Sequence, residues 1–230
     1  MPGRRILPLA AAALIACSTM ASADELRIAS WGGVVTDANR AAYWTPYEKA
    51  TGTKIIDDTF NGEIAKARAQ VQAQSYQWDI AEMEDAEAVA GCEEGLYEKL
   101  DLSRVPVADL LPNSHDECSV VSLTSGTGLT FNKAKMAAGP QNWADFFDVQ
   151  KFPGKRGLRK SATITLEVAL LGAGVPPADV YKTLATKEGQ DLAFATLDKL
   201  KGNIVWWSSG TELVQGFMSG EYDMAVAYNG

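Results

Sequence analysis

The stretch Leu26-Arg27-Ile28-Ala29-Ser30-Trp31-Gly32-Gly33 decides how the rest of the chain is read. Leu26, Ile28 and Ala29 make a short buried strand, Ser30 ends it, and Gly32-Gly33 let the backbone turn free of a Cβ clash. Thr36 or Asp37 stands ready to cap a following helix. Open α/β sheets bind ligands beyond the carboxyl ends of their strands, and Trp31 lies at such an end. A lone tryptophan more often anchors a core. The flanking glycines and Ser30 favour an indole displayed at the mouth of a crevice.

Upstream of this strand the sequence has the form of an export signal. Arg4 and Arg5 precede an apolar run, residues 6–16, that is too short to span a bilayer. Ala21-Ser22-Ala23 is a small-residue cleavage site that leaves Asp24 as the mature N-terminus. Leu14-Ile15-Ala16-Cys17 competes with it as a lipoprotein site, but a strand starting almost at once after Ala23 leaves no tether. The expected location is periplasmic. The 230 residues carry 21 Lys and Arg against 29 Asp and Glu, a net charge of −8, which loss of Arg4 and Arg5 makes two units more negative. An acidic surface argues against nucleic acid and anionic membranes as partners. Beyond Cys17 the cysteines are Cys92 and Cys118, an even pair in an oxidising compartment. A disulfide between them would stabilise by roughly 3–4 kcal/mol in the chain-entropy view; the alternative is two separate buried thiols.

Strands and helices then alternate. Residues 54–60 form a second strand, Asn61 caps a helix through Ile64, Ala67 and Val71, and residues 78–83 form a third strand that runs into Glu84-Asp85. Short connections of this kind mean parallel pairing. Pro46 is expected to split the helix between the first two strands. Residues 119–132 read as a long strand crossing to a second lobe. There Asn142 caps 143–147, residues 157–160 are a strand, and 165–171 are an apolar helix. Pro176-Pro177 opens another helix. Leu192, Phe194, Ala195, Leu197 and Leu200 form the buried face of a third. Residues 203–207 are a strand, 211–218 a helix and 223–228 a final strand. His115 is the only histidine, so two-histidine metal sites are excluded and a Ser-His-Asp triad would depend on a loop residue. Phe131 stands where a dinucleotide fingerprint needs its third glycine. No cofactor, metal site or enzymatic activity is expected.

Five motifs occur in order: Ser30-Trp31-Gly32-Gly33, Gly126-Thr127-Gly128-Leu129-Thr130-Phe131-Asn132, Trp143-Ala144-Asp145-Phe146-Phe147, Phe152-Pro153-Gly154-Lys155-Arg156-Gly157 and Gly220-Glu221-Tyr222-Asp223-Met224-Ala225. Together they resemble the periplasmic solute-binding proteins of ABC transporters, in particular the spermidine/putrescine-binding group. The resemblance implies a two-lobed α/β periplasmic binding protein fold with a ligand cleft between the lobes, working with an inner-membrane ABC permease as a monomer. On that basis residues 1–23 are the signal peptide, 24–127 lobe one and 128–228 lobe two. Residues 229–230 would begin a return crossover that the chain carries no further. The resemblance also implies that Trp31 stacks on the ligand, that Glu84 contacts it from lobe one, and that Tyr228-Asn229 is the aromatic–polar pair of the second crossover.

The candidate ligand-binding set is Ser30, Trp31, Gly32, Glu84, Asp85, Ser208, Ser209, Tyr228 and Asn229. Carboxylates Glu82, Glu84 and Asp85 beside aromatic faces suit a cation, since an ammonium over an indole gains roughly 0.5–2 kcal/mol. The alternative for these acids is a solvated strand end. The family's lobe-two carboxylates would fall near Ser161-Ala162-Thr163-Ile164, where this chain has none; Glu167 is the nearest replacement. On strand alternation one of Trp206 and Trp207 faces the core and the other the cleft beside the Ser208-Ser209-Gly210 turn. The expected function is capture of a small cationic solute, a polyamine or related amine, for an ABC importer. A sensor subunit on the same fold, or a binder of an amino acid derivative or ferric ion, is the alternative.

Overall fold

The computed structural model describes residues 24–229; the expected signal, its cleavage site, Cys17 and Gly230 lie outside them. The first sheet holds β1 (Glu25–Ser30), β2 (Lys54–Thr59) and β3 (Ile80–Ala81) in the order β2-β1-β3, all parallel. Parallel neighbours need a crossover. The crossovers are α1 (Gly33–Asn39), a π-helical turn at Arg40–Trp44 and α2 (Thr45–Thr51) between β1 and β2, and α3 (Ile64–Ala73) between β2 and β3. The helix α4 (Asp85–Glu93) follows β3. Some expectations shift here: α3 has Glu63 at its N-cap in place of Asn61, and the third strand is shorter than 78–83. Gly32, with φ of 76°, takes the N-cap of α1, and Thr36 lies inside the helix with its hydroxyl accepting the Gly32 N–H at 3.0 Å. The helical run between β1 and β2 divides as expected, into α1, the π-helical turn and α2, and Pro46 stands in the first turn of α2, where a missing N–H is tolerated.

The second sheet holds β4 (Thr127–Phe131), β5 (Arg156–Arg159), β6 (Ile204–Trp207) and β7 (Met224–Tyr228) in the order β4-β7-β5-β6. Strand β5 runs parallel to β6 and β7, whereas β4 runs antiparallel to β7 with Thr127 opposite Tyr228. The long strand expected over 119–132 is therefore only β4, preceded by an isolated His115–Val120 bridge. Helices α5 (Trp143–Phe147), α6 (Thr165–Gly172), α7 (Val180–Leu184), α8 (Lys187–Asp198) and α9 (Gly210–Ser219) surround this sheet.

Core size differs sharply between the two halves. Phe146, Leu158, Leu170, Leu200, Met224 and Val226 are fully buried in the second, while the first has a small cluster of Ile28, Trp44 and Ile55. The buried face of α8 is Ala193, Thr196 and Leu197, continued by Leu200, with Leu192 and Phe194 outside at 42% and 57% exposure. Of the five residues expected on this face, Leu197 and Leu200 are inside, while Leu192, Phe194 and Ala195 are not. The small Gly189 and Ala193 let α8 approach, and a turn of about 100° per residue then carries 192 and 194 to the flanks. Cys92 and Cys118 are joined in a disulfide that ties the end of α4 to the segment leading into the second sheet. Arg156 is wholly buried yet saturated, donating to the carbonyls of Phe146 at 3.1 Å, Gly154 at 2.5 Å, Asp148 at 3.2 Å and also Phe152.

Candidate ligand-binding cleft

Residues beyond the carboxyl ends of β1 and β3 meet residues at the carboxyl ends of β5, β6 and β7, the edge at which α/β sheets take ligands: Glu84 meets Arg159, and Gly33 lies near Thr211. In the first half, a buried polar relay fixes the turn that carries Trp31. Ser30 Oγ donates to Glu82 Oε2 at 2.6 Å, Asn39 Nδ2 donates to Glu82 Oε1 at 2.7 Å, and Thr36 Oγ1 donates to Ser30 Oγ at 3.0 Å. Both Glu82 oxygens are thus engaged. Ser30 is fully buried, so Ser30 and Glu82 hold the Trp31-Gly32 turn from beneath. Trp31 is half-buried and lies across Gly62: a Cβ built there would stand 2.9 Å from Trp31 Cη2 and 3.7 Å from the Glu84 amide nitrogen. Gly62 has φ of 78°, so neither the space nor the backbone admits another residue without a shift.

Glu84 is the N-cap residue of α4, but its carboxylate makes no capping bond. It reaches across instead. Arg159 Nη1 donates to Glu84 Oε1 at 2.7 Å, with the Arg159 side chain 7% exposed and that of Glu84 32% exposed. Arg159 ends β5, and its carbonyl accepts the Thr165 hydroxyl at 2.7 Å, which anchors the strand end to α6. Tyr228 ends β7 and sets its ring edge-on to Trp207, 5.7 Å between centroids. Burial pushes its phenol above the ordinary value, Arg159 draws it down and Glu84 raises it again, so the phenol lies within reach of both charges. At the cleft mouth α1 and α9 approach closely: a Cβ on Gly33 would stand 3.0 Å from Thr211 Oγ1.

The remaining sequence candidates fall as follows. Asp85 is exposed in the first turn of α4. The Ser208 N–H donates to Glu212 Oε2 at 2.7 Å and the Ser209 hydroxyl accepts the Glu212 N–H at 3.2 Å, so this turn is engaged in capping α9. Asn229 pairs with Gly126, accepting its N–H at 2.7 Å and donating its own to the Gly126 carbonyl at 3.0 Å. Trp207 is the buried ring and Trp206 the exposed one. Glu167 lines a groove with Tyr181, Leu184 and Gln190. Arg159 itself was missed, because a basic residue after Gly157-Leu158 reads as solvated. Its signal was position, at a strand's carboxyl end like Trp31 and Glu84. No group of three His, Cys, Asp or Glu gathers as metal ligands among the described residues.

Residues 42–230 match the family described as bacterial extracellular solute-binding protein. The chain belongs to that family. It is 43% identical to the gamma-aminobutyric acid-binding protein of Pseudomonas aeruginosa over 94% of its own length and 61% of that protein's. With the spermidine/putrescine-binding periplasmic protein 1 of Haemophilus influenzae it shares 26% over 93% of its length and 59% of the relative's. The crystal structure of the periplasmic binding protein MotA from A. tumefaciens B6 in complex with glucopine superposes with a TM-score of 0.83 at 37% identity, covering 89% of this chain and 64% of MotA. The fold is therefore the periplasmic binding protein fold, and the chain spans about three fifths of the length of these relatives.

Proposed function

We propose that this chain is the solute-capturing component of an ABC importer, and that its cleft takes a small solute bearing both a carboxylate and an ammonium group, of the γ-aminobutyrate kind. The observation that carries this is the pair of opposite charges facing each other from the two halves, Arg159 and Glu84. A diamine, the ligand class suggested by the resemblance, would bring a second cation to a guanidinium that is almost wholly out of water. That arrangement is costly. A zwitterion offers an anion to Arg159 and a cation to Glu84 and the Trp31 face, and so leaves neither charge unpaired. The gamma-aminobutyric acid-binding relative supports the same class.

Isothermal titration with γ-aminobutyrate, putrescine, n-butyrate and n-butylamine tests the reading. γ-Aminobutyrate is expected to bind most tightly. Tighter binding of putrescine would return the site to the polyamine class.

A further inference from the structure

Glu84 and Arg159 are in direct contact at 2.7 Å, which leaves no space for another atom between the bonded groups. The bond joins one guanidinium nitrogen to one carboxylate oxygen, and a solute that takes over either of those atoms must part them. Among the described residues this is the one ion pair that joins the two halves; the others lie within a half. Resting on the ligand class argued above, we propose that the Glu84–Arg159 pair is an interlobe latch that the solute displaces, so that the protein's own ion pair competes for the cleft and admits only solutes able to replace both of its charges.

The electrostatics support a competitor over a passive contact. Arg159 is 7% exposed, and a buried guanidinium deprived of its partner pays a desolvation penalty unless another anion arrives. A simple amine can satisfy Glu84 only by stranding Arg159, and a simple carboxylate does the reverse. Each monofunctional solute thus has to break the latch for half the return, whereas a zwitterion exchanges one pair for two. Tyr228 and Glu87 are the other titratable groups that feel both members of the pair.

The competition has a signature that a plain ligand contact lacks: removing one member of the latch should improve binding of the solute that matches the other. Glu84→Gln is expected to weaken γ-aminobutyrate yet bind n-butyrate roughly tenfold tighter than the parent does. Arg159→Gln should do the same for n-butylamine. Glu84 makes no capping bond, so Glu84→Gln carries the test alone should Arg159→Gln fail to fold. A second readout needs no solute. Spin labels on Val34→Cys and Val214→Cys, 82% and 60% exposed on α1 and α9, report the interlobe distance. Cys92 and Cys118 are held in their disulfide, and the labels go on the form that starts at Asp24, without Cys17. The mean distance should lengthen in Glu84→Gln. Unchanged or weaker n-butyrate binding together with an unchanged distance overturns the latch, and if the parent still takes γ-aminobutyrate the ligand class survives it. If the parent takes none of the probes while the labels separate, the latch stands and the ligand class falls.

Discussion

Glu87 lies one turn along α4 from Glu84, with its Oε2 buried and unpartnered among the described residues. Burial pushes its carboxyl above the usual range; its own backbone amide opposes this, the Glu84 charge adds to it and Arg159 subtracts. An acid raised in the fold destabilises it when ionised. The cost is complete above the folded pKa, shrinks as pH falls through it, and is gone below the unfolded value near 4.3. Glu87→Gln is therefore expected to melt higher than the parent at pH 8, with the gap closing by about pH 4. A lower melting temperature at pH 8 would show that the ionised carboxylate is stabilising. At this scale the placement of Trp31, Glu84 and Tyr228 at or just beyond strand ends was legible, because glycine turns and apolar runs mark those ends locally. Arg159 was hidden because its partner lies 75 residues away, and no local pattern records that pairing.

Ser209 takes its meaning from the element it begins. Its hydroxyl caps α9 and Glu212 returns the favour to the Ser208 amide, so Ser209→Ala should cost about 1 kcal/mol of stability. Titration with γ-aminobutyrate should be unchanged by it. A large loss of affinity at constant stability would restore Ser209 to the ligand set. Strand and helix order was legible because hydrophobic runs and glycine turns are local. Pairing direction was less so: nothing within residues 127–131 announces that β4 would run against β7. In α8 side-chain bulk misled, since Leu192 and Phe194 outweigh the alanine and threonine that face inward.

Across the molecule, stability is distributed unevenly. Met224, Ala225 and Val226 of β7 are fully buried, whereas most of β2 is exposed and Ile56 and Ile80 reach the surface. Hydrogen exchange is expected to be slowest in β7 and markedly faster in β2. Equal protection of the two strands would contradict this asymmetry. The two-sheet plan was readable because its parts recur along the chain, while the inequality of the cores depends on how helices stack and was not. One consequence concerns mechanics. Asn229 and Gly126 lace together the strand that enters the second half and the strand that ends it, directly beyond the Thr127–Tyr228 pair. Two strands riveted at their ends flex as a single leaf spring: they bend about one axis and resist sliding past each other. The start and the finish of the second half are thereby held as one piece, and Arg159, on the strand next to β7, keeps its place relative to both.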